Sequence, residues 1–275
     1  MTERLLDAPR ERREPRPVIT RPVTLGRSVR SEWIKFRTLR STWAVLGGAV
    51  VGLIGIGLVV AHNTAHLSAN LQPDDVVGSS TLQGYYLGQL LIGALGVLFV
   101  SGEYSTGAIR STLTAVPRRV PVLWAKAIVF TAVVLVTTVV ASFVAFLAAQ
   151  ALISGTRPGF SLSDPGVLRV VTGTGVYLTL IGLIGAALGW IVRNTPGALV
   201  SYFALVLVVP VLLGNVLGTW GRDVSHYLPS VAGGSFVSSV AEPGALHPWP
   251  GLLVLVVWVV ALTGLAAVRL RRRDA

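Results

Sequence analysis

The 275-residue sequence contains no cysteine and few charged residues. Without cysteine, the chain can form neither a disulfide framework nor a thiolate metal site. Charged residues make up 13% of the chain and hydrophobic residues 52%, and the mean hydropathy is +0.70. A soluble globular protein carries about 25% charged residues. This composition therefore predicts an integral membrane protein and argues against a soluble domain.

Six long apolar stretches account for the high hydropathy. About 20 apolar residues form a helix that is long enough to cross the hydrocarbon core of a bilayer, and a backbone in lipid must satisfy its own hydrogen bonds. We therefore predict an all-α integral membrane protein with six transmembrane helices, at about residues 43–61, 82–100, 123–153, 170–192, 197–217 and 251–268. The third stretch is longer than the core requires, so it extends into water or tilts.

The positive charges indicate the orientation of these spans. Twenty of the 23 lysine and arginine residues lie in the N-terminal segment, the loop after the second span, the turn after the fourth span and the C-terminal segment. Cytoplasmic loops carry such an excess. We therefore predict a multi-pass protein of the cell (plasma) membrane with cytoplasmic N- and C-termini. The same bias explains the net charge of +11, so we do not predict nucleic-acid binding.

Two segments precede the first span. Residues 1–24 are basic and rich in proline, and they predict a disordered tail. Residues 25–42 predict an amphipathic helix that lies in the membrane interface, ahead of a six-span domain at 43–275. The apolar arc of this helix contains Leu25, Val29, Trp33, Phe36, Leu39 and Trp43, whereas Arg27, Arg30, Lys35 and Arg37 fall on the other side. The alternative is a cytosolic helix that packs on a neighbouring loop.

Six residues of this segment are candidate functional residues: Glu32, Trp33, Phe36, Arg37, Arg40 and Trp43. Glu32 is the unusual one, because it lies within the apolar arc, where an unpaired carboxylate is costly. We expect it to pair with a cation, either Arg40 or one of the cations that follow the second span.

The loop after the second span carries the most specific polar pattern. Residues 103–116 predict a short helix that Pro117 ends. Glu103, Thr106 and Arg110 share one face of this helix, and Ile109 and Leu113 form an apolar edge beside it. Such a helix suits docking in a groove of another protein, but a membrane re-entry turn with arginine facing phosphates fits the spacing equally well.

Local signals also indicate where other helices begin and bend. Asn194 or Thr195 is expected to cap the fifth span, and Pro210 is expected to kink it. The apolar stretch at 227–240 is too short to span, and it predicts short re-entrant or interfacial helices on the outer side. The glycine pairs with a spacing of four, such as Gly185 and Gly189, allow helices to approach closely.

Several chemical signatures are missing. The middles of the six spans contain no Asp, Glu, Lys, Arg or His, which argues against a proton- or ion-coupled carrier. The sequence has no phosphate loop and no nucleophile elbow, and its two lysines, Lys35 and Lys126, follow Ile34 and Ala125 rather than glycine. We therefore predict a protein that is not an enzyme, with no catalytic, cofactor or metal site of its own.

Two motifs resemble a known family. SEWIKFRTLRSTW before the first span, and GEYSTGAIRSTLTAVPRR followed by AKAIVF after the second, resemble the type-2 ABC transporter permeases. The resemblance extends over residues 27–275. It implies that the chain is the membrane subunit of an exporter for an unidentified substrate and that this exporter works by alternating access. The subunit would form a homodimer or a paired permease with two copies of a separate cytosolic ABC ATPase. ATP and Mg would bind in that ATPase. It also implies that the loop helix at 103–116 rests on this ATPase through Glu103, Tyr104, Thr106, Gly107, Ile109, Arg110 and Leu113.

Two other functions remain open at this point. A gradient-driven secondary carrier would show inverted repeats or a buried ionisable residue in the spans. A non-transporting membrane anchor that recruits a cytosolic partner would differ from a permease only in transport.

The charge pattern makes a prediction that single cysteines can test, because the natural chain has none. A membrane-impermeant maleimide added outside intact cells should label Ser79→Cys and Ser239→Cys and should leave Ser111→Cys unlabelled. Permeabilised cells provide the control for reactivity. Labelling of Ser111→Cys from outside would contradict the predicted orientation.

Overall fold

The chain is described by a computed structural model, which covers residues 24–66, 82–105, 107, 120–154, 160–239 and 244–272. The described part is helical and contains no β-strand. The helices are α1 (Leu25–Thr38), α2 (Arg40–His66), α3 (Tyr85–Ser105), α4 (Val120–Ile153), α5 (Val167–Val192), α6 (Thr195–Phe203), α7 (Val209–Val216), α8 (Gly218–Ser225), α9 (Pro229–Val237) and α10 (Pro248–Arg272), and a π-helical segment, Ala204–Val208, joins α6 to α7. The predicted tail lies outside the described residues.

Six of these helical stretches are long and apolar enough to cross a membrane, which confirms the predicted fold class. Spans one to four are α2 to α5, span five consists of α6, the π segment and α7, and span six is α10. Span three is a single helix of 34 residues, about 51 Å long, so it does exceed the thickness of the hydrocarbon core. Its excess length follows from an uninterrupted run of helix-compatible residues between Val120 and Ile153.

Span four lies at the centre of the described helices. Two thirds of its apolar window (67%) is buried, against 17% for spans five and six, which therefore form the periphery. Span four contacts spans two, three, five and six. Its threonines do not disturb this packing, because the hydroxyls of Thr174 and Thr179 donate to the carbonyls of Val170 and Gly175, one turn earlier.

Glycines allow spans two and four to touch backbone to backbone. A Cβ atom added at Gly185 would lie 2.1 Å from the carbonyl oxygen of Gly93, and one added at Gly96 would lie 2.1 Å from that of Gly182. The spacing of Gly185 and Gly189 therefore serves a contact within the chain: a Cβ at Gly189 would lie 3.1 Å from the Val97 carbonyl oxygen. This close approach holds span two in register with the central helix.

Span five begins where its sequence indicates, and it becomes irregular just before Pro210. The Asn194 side chain accepts a hydrogen bond from the Gly197 N–H at 2.8 Å, which caps α6. Pro210 has no N–H to donate, and the helix before it widens into the π segment, in which the Val209 N–H bonds to the Ala204 carbonyl, five residues earlier.

The connection between spans five and six contains two short helices. One of them, α8, precedes the apolar stretch that the sequence singles out, and the other, α9, lies within it. α9 packs on spans four and six and on the π segment, so it is an integral part of the helical bundle.

The close contact of spans two and four predicts a specific sensitivity to added volume. Gly185→Ala should destabilise the protein by about 1–3 kcal/mol, because the new methyl group overlaps a backbone carbonyl that cannot rotate away. Thermal unfolding of the detergent-solubilised protein would measure the effect. Gly264→Ala in span six is the matched control, since a Cβ there meets no atom within 4 Å and alanine is the better helix former. Equal melting temperatures for the two variants would contradict the proposed contact.

Candidate functional site

Four charged side chains from three helices meet beside the loop that follows span two. Glu32 and Lys35 come from α1, Glu103 from the last turn of span two and Lys126 from the start of span three. The Lys126 Nζ atom lies 2.7 Å from Glu32 Oε2 and 2.9 Å from Glu103 Oε1. The Lys35 Nζ atom lies 2.9 Å from Glu32 Oε1 and 2.9 Å from Glu103 Oε1. Each ammonium group thus contacts both carboxylates, and we call these four residues the ion network.

The ion network is buried and its formal charges cancel. The side chains of Lys126 and Glu32 are 2% and 3% exposed, and that of Glu103 is 13% exposed. Charges at such burial are stable only when they are paired and hydrogen-bonded. Lys126 has further support, because it lies 4.4 Å from the centre of the Phe99 ring. The network therefore joins α1, span two and span three at a single point.

Lys35 occupies the open side of the ion network, with 32% of its side chain exposed. Burial by itself lowers the pKa of this ammonium group, but hydrogen bonds to Glu32 and Glu103 outweigh that effect, so the pKa of Lys35 is raised above its ordinary value. Because this pKa is raised, the pairing contributes its full stability at every pH below the ordinary lysine pKa. That stability is lost only as the pH rises through the raised pKa of the folded protein. Lys35 is therefore fully charged at neutral pH.

Aromatic side chains form the apolar floor of the ion network. Phe36 meets the Phe99 ring edge to face at 5.2 Å, and Phe99 stacks on Phe130 at 6.1 Å. Phe36 is one turn after Glu32, so the same face of α1 supplies the carboxylate and the ring.

The Trp43 indole N–H donates to the Arg37 carbonyl at 3.1 Å, which fixes the corner between α1 and span one.

The end of span two also contacts the opposite side of the bundle. The Tyr104 ring meets the Trp190 ring of span four edge to face at 6.0 Å, and the Arg193 guanidinium lies 5.9 Å from the centre of the Tyr104 ring. Arg269 of span six donates to the Ile191 carbonyl at 3.2 Å, and Arg193 donates to the Arg269 carbonyl at 3.3 Å. The last turn of span two is thus held by charge on one side and by aromatic packing on the other.

The start of the predicted loop helix needs correction. Glu103 and Tyr104 belong to the last turn of span two, which ends at Ser105, and Gly107 has a left-handed backbone with φ of 72°. A continuous helix does not run from Glu103 through Gly107, because the buried pairing of Glu103 extends the span instead. The remaining predicted loop residues, Thr106, Ile109, Arg110 and Leu113, lie outside the described residues.

The structure places the candidate residues of the predicted 25–42 segment and Trp43 in two different environments, with Arg40 and Trp43 in the first turn of α2. Glu32 and Phe36 are buried, whereas Trp33, Arg37, Arg40 and Trp43 are exposed. The expectation of a cation partner for Glu32 is confirmed, and its partners are Lys126 and Lys35 rather than the exposed Arg40. The assignment of Lys35 to the outer basic side is wrong, since its ammonium group turns toward the two carboxylates.

Sequence reasoning missed Lys126 as a site residue because it was counted as a loop cation. The signal was present, since Lys126 lies six residues into a helix whose later residues are apolar, and a cation there requires an acidic partner. Glu32 and Glu103 are the acidic residues of the two flanking motifs.

These features define a polytopic membrane protein whose second and third spans are joined at the base of a basic loop. Residues 28–221 match the family model of the ABC-2 family transporter proteins, and this match covers most of the chain. The chain belongs to this family, whose members are membrane transport subunits that work with an ABC ATPase. The match includes α1 from Ser28 onward and all the residues of the ion network. No curated protein matches the sequence.

Removal of one member of the ion network should strongly destabilise the protein. Lys126→Gln leaves two buried carboxylates with a single ammonium group, and it should cost about 3–5 kcal/mol of stability. The double variant Glu32→Gln/Lys126→Gln keeps the Lys35–Glu103 pair and restores neutrality, so it should melt at a higher temperature than Lys126→Gln alone. Thermal unfolding in detergent measures both effects.

Arg30→Gln is the matched control for these variants, because Arg30 is an exposed cation of α1. An exposed substitution of this kind changes stability by about 0.5 kcal/mol or less. The ion network does not hold these helices together if Lys126→Gln and Arg30→Gln have the same melting temperature. The same conclusion follows if the double variant is less stable than Lys126→Gln.

Proposed function

We propose that this chain is the membrane subunit of an ATP-driven exporter in the plasma membrane, with both termini in the cytoplasm. It works as a dimer with two copies of a separate cytosolic ATPase, and ATP and Mg bind in those partner chains. The family assignment supports a transport subunit that depends on an ABC ATPase. The lysine and arginine bias supports the orientation, since the loop at 106–119 lies on the positive side.

The main support for this proposal is the ion pair that joins the two ends of the loop after span two. Glu103 and Lys126 lie at its two ends, and their side-chain atoms are 2.9 Å apart. The two ends cannot separate without leaving a buried charge unpaired, which costs several kcal/mol. A force applied to the loop by a docked ATPase therefore moves spans two and three as one body, and α1 moves with them through Glu32.

The packing of span two gives this movement a route to the centre of the bundle. Span two touches the central span four backbone to backbone at Gly93 and Gly185, so it cannot slide without displacing that helix. Packed helices with such contacts transmit displacement because they have few ways to deform. Alternating access by rearrangement of the spans fits this arrangement. The peripheral, exposed faces of spans one and five suit contact with lipid or a second copy.

α1 adds a contact with the membrane surface in this proposal. Its exposed side carries Trp33, Ile34 and Arg37, and the exposed Trp43 and Trp124 lie near the starts of spans one and three. Tryptophan and arginine side chains suit the headgroup region, where an apolar body and a polar tip are both satisfied. The inward face of α1 belongs to the ion network, which sets the depth of this helix.

The loop is tested by variants that leave the ion network intact. Arg110→Ala and Leu113→Ala should weaken retention of the co-expressed ATPase by at least about fivefold, because truncation of a seated contact costs more than about 1 kcal/mol. Transport should fall in parallel at matched membrane levels. Co-purification of the ATPase from membranes, with a transport assay on the same variants, measures both effects. Arg12→Ala and Arg13→Ala in the N-terminal segment are the controls and should change neither.

The possible outcomes separate the three functions. Loop variants that bind the ATPase and transport like the parent would refute the docking role. Transport that continues when ATP is depleted and stops when the ion gradients are removed would identify a secondary carrier. Binding of a cytosolic partner without any transport would identify a membrane anchor.

A further inference from the structure

The short outer helix α9 is buried although it lies in a connection between two spans. Ala232, Gly233, Phe236 and Val237 are all less than one tenth exposed. The helix carries no charged residue, and it packs on span four, span six and the π segment of span five. A segment of nine residues is too short to cross the membrane, so its burial depends on side chains of the surrounding spans.

Both ends of α9 are fixed by side chains of neighbouring spans. The Trp258 indole N–H of span six donates to the Tyr227 carbonyl at 2.9 Å, just ahead of the helix. The Arg169 guanidinium of span four donates to the Phe236 carbonyl and, at 3.0 Å, to the Ser238 carbonyl. Cations are favourable at the C-terminus of a helix, where carbonyl groups have no partner in the helix. These contacts leave α9 little freedom at its ends.

The middle of α9 rests on Tyr177 of span four. A Cβ atom added at Gly233 would lie 2.4 Å from the Tyr177 ring, so glycine is needed for this approach. Tyr177 is fully buried, and its hydroxyl group donates to the side-chain oxygen of Gln89 in span two. The ring of Tyr177 therefore supports α9 while its hydroxyl group holds span two.

Gln89 continues this connection to span five. Its backbone carbonyl accepts a hydrogen bond from the Tyr202 hydroxyl at 2.7 Å, and the Tyr202 ring crosses span two at Gly93. Gln89 is 5% exposed and Tyr202 is fully buried. We call Gln89, Tyr177 and Tyr202 the polar junction. It joins spans two, four and five at a depth where water cannot replace a lost hydrogen bond.

The polar junction lies next to the irregular part of span five. The π segment begins at Ala204, two residues after Tyr202, and it contacts α9 directly. π-helical turns of this kind are uncommon and occur frequently at functional sites. A change of register in this segment would therefore act on α9 and on Tyr202 together.

We propose that Gln89, Tyr177 and Tyr202 are positioning residues that hold α9 closed over the outer side of the spans and couple it to span five. The role of α9 as the outer gate of a transport path rests on the proposed function; the coupling itself rests on the contacts described above. Loss of any hydroxyl group of the polar junction loosens α9, including that of Tyr202, which acts through Gln89.

The accessibility of a buried cysteine in α9 tests this coupling. Val237 is 3% exposed, so Val237→Cys should react slowly with a water-soluble maleimide, whereas Ser239→Cys, which is exposed, should react fast. Tyr177→Phe and Tyr202→Phe keep the aromatic rings and remove one hydroxyl group each. Each should raise the labelling rate of Val237→Cys about two- to tenfold, the effect of one buried hydrogen bond on an opening equilibrium. Tyr86→Phe, at an exposed tyrosine of span two, is the control and should leave the rate unchanged.

The double variant Tyr177→Phe/Tyr202→Phe distinguishes coupling from local packing. If both hydroxyl groups act through Gln89, the combined increase should be smaller than the product of the single increases. An unchanged rate in Tyr202→Phe, or a double variant equal to that product, would overturn the proposal. Equal labelling of Ser239→Cys in every background shows that the variants are inserted alike and equally accessible to the reagent, and slow labelling of Val237→Cys in the Tyr86→Phe background shows that α9 remains packed. The labelling assay uses the chain in membranes without an ATPase. A negative result in this assay would therefore overturn the coupling through Gln89 without bearing on the loop experiment.

Discussion

The pairing of Lys126 with two carboxylates is the constraint on which the structure around the base of the loop depends. An ammonium group that is 2% exposed cannot remain charged in an apolar bundle without partners, and Glu32 and Glu103 supply them from two other helices. The position of α1, the length of span two and the geometry of the loop base all follow from this requirement. Because the interaction is directional and buried, it specifies one arrangement of these helices.

The two ends of the bundle use different chemistry for the same purpose. Near the loop, spans two and three and α1 are joined by full charges, which resist separation strongly. Deeper in the bundle and at the outer helix, spans two, four and five are joined by hydroxyl groups and one amide, Gln89, whose hydrogen bonds are individually weaker. Between these two sites lies the glycine contact of spans two and four. The bundle therefore has a connection of full charges near the loop and a connection of weaker hydrogen bonds around Gln89.

The sequence was sufficient for the parts of the fold that local physics decides. Length and hydropathy predicted six spans and the all-α class, Asn194 predicted the start of span five, and Pro210 predicted its irregularity. The sequence also indicated that Glu32 needs a cation. It offered Lys126 only as one of several cations after the second span, because the partners are 94 residues apart and meet only when three helices pack. The polar junction and the glycine contacts between spans two and four also could not be predicted, because they too form only when distant helices pack. Gln89, Tyr177 and Tyr202 have no local sequence signature.

The sequence separation of Glu32 and Lys126 also sets an order of events during synthesis. At about 5–20 residues per second, the ribosome needs roughly 5–20 s to reach Lys126 after it has made Glu32. Throughout that interval the Glu32 carboxylate has no partner in span three, so α1 cannot complete its docking on that helix. Spans one and two therefore enter the bilayer before α1 reaches its final position. The arrival of span three completes the first folded unit of the chain.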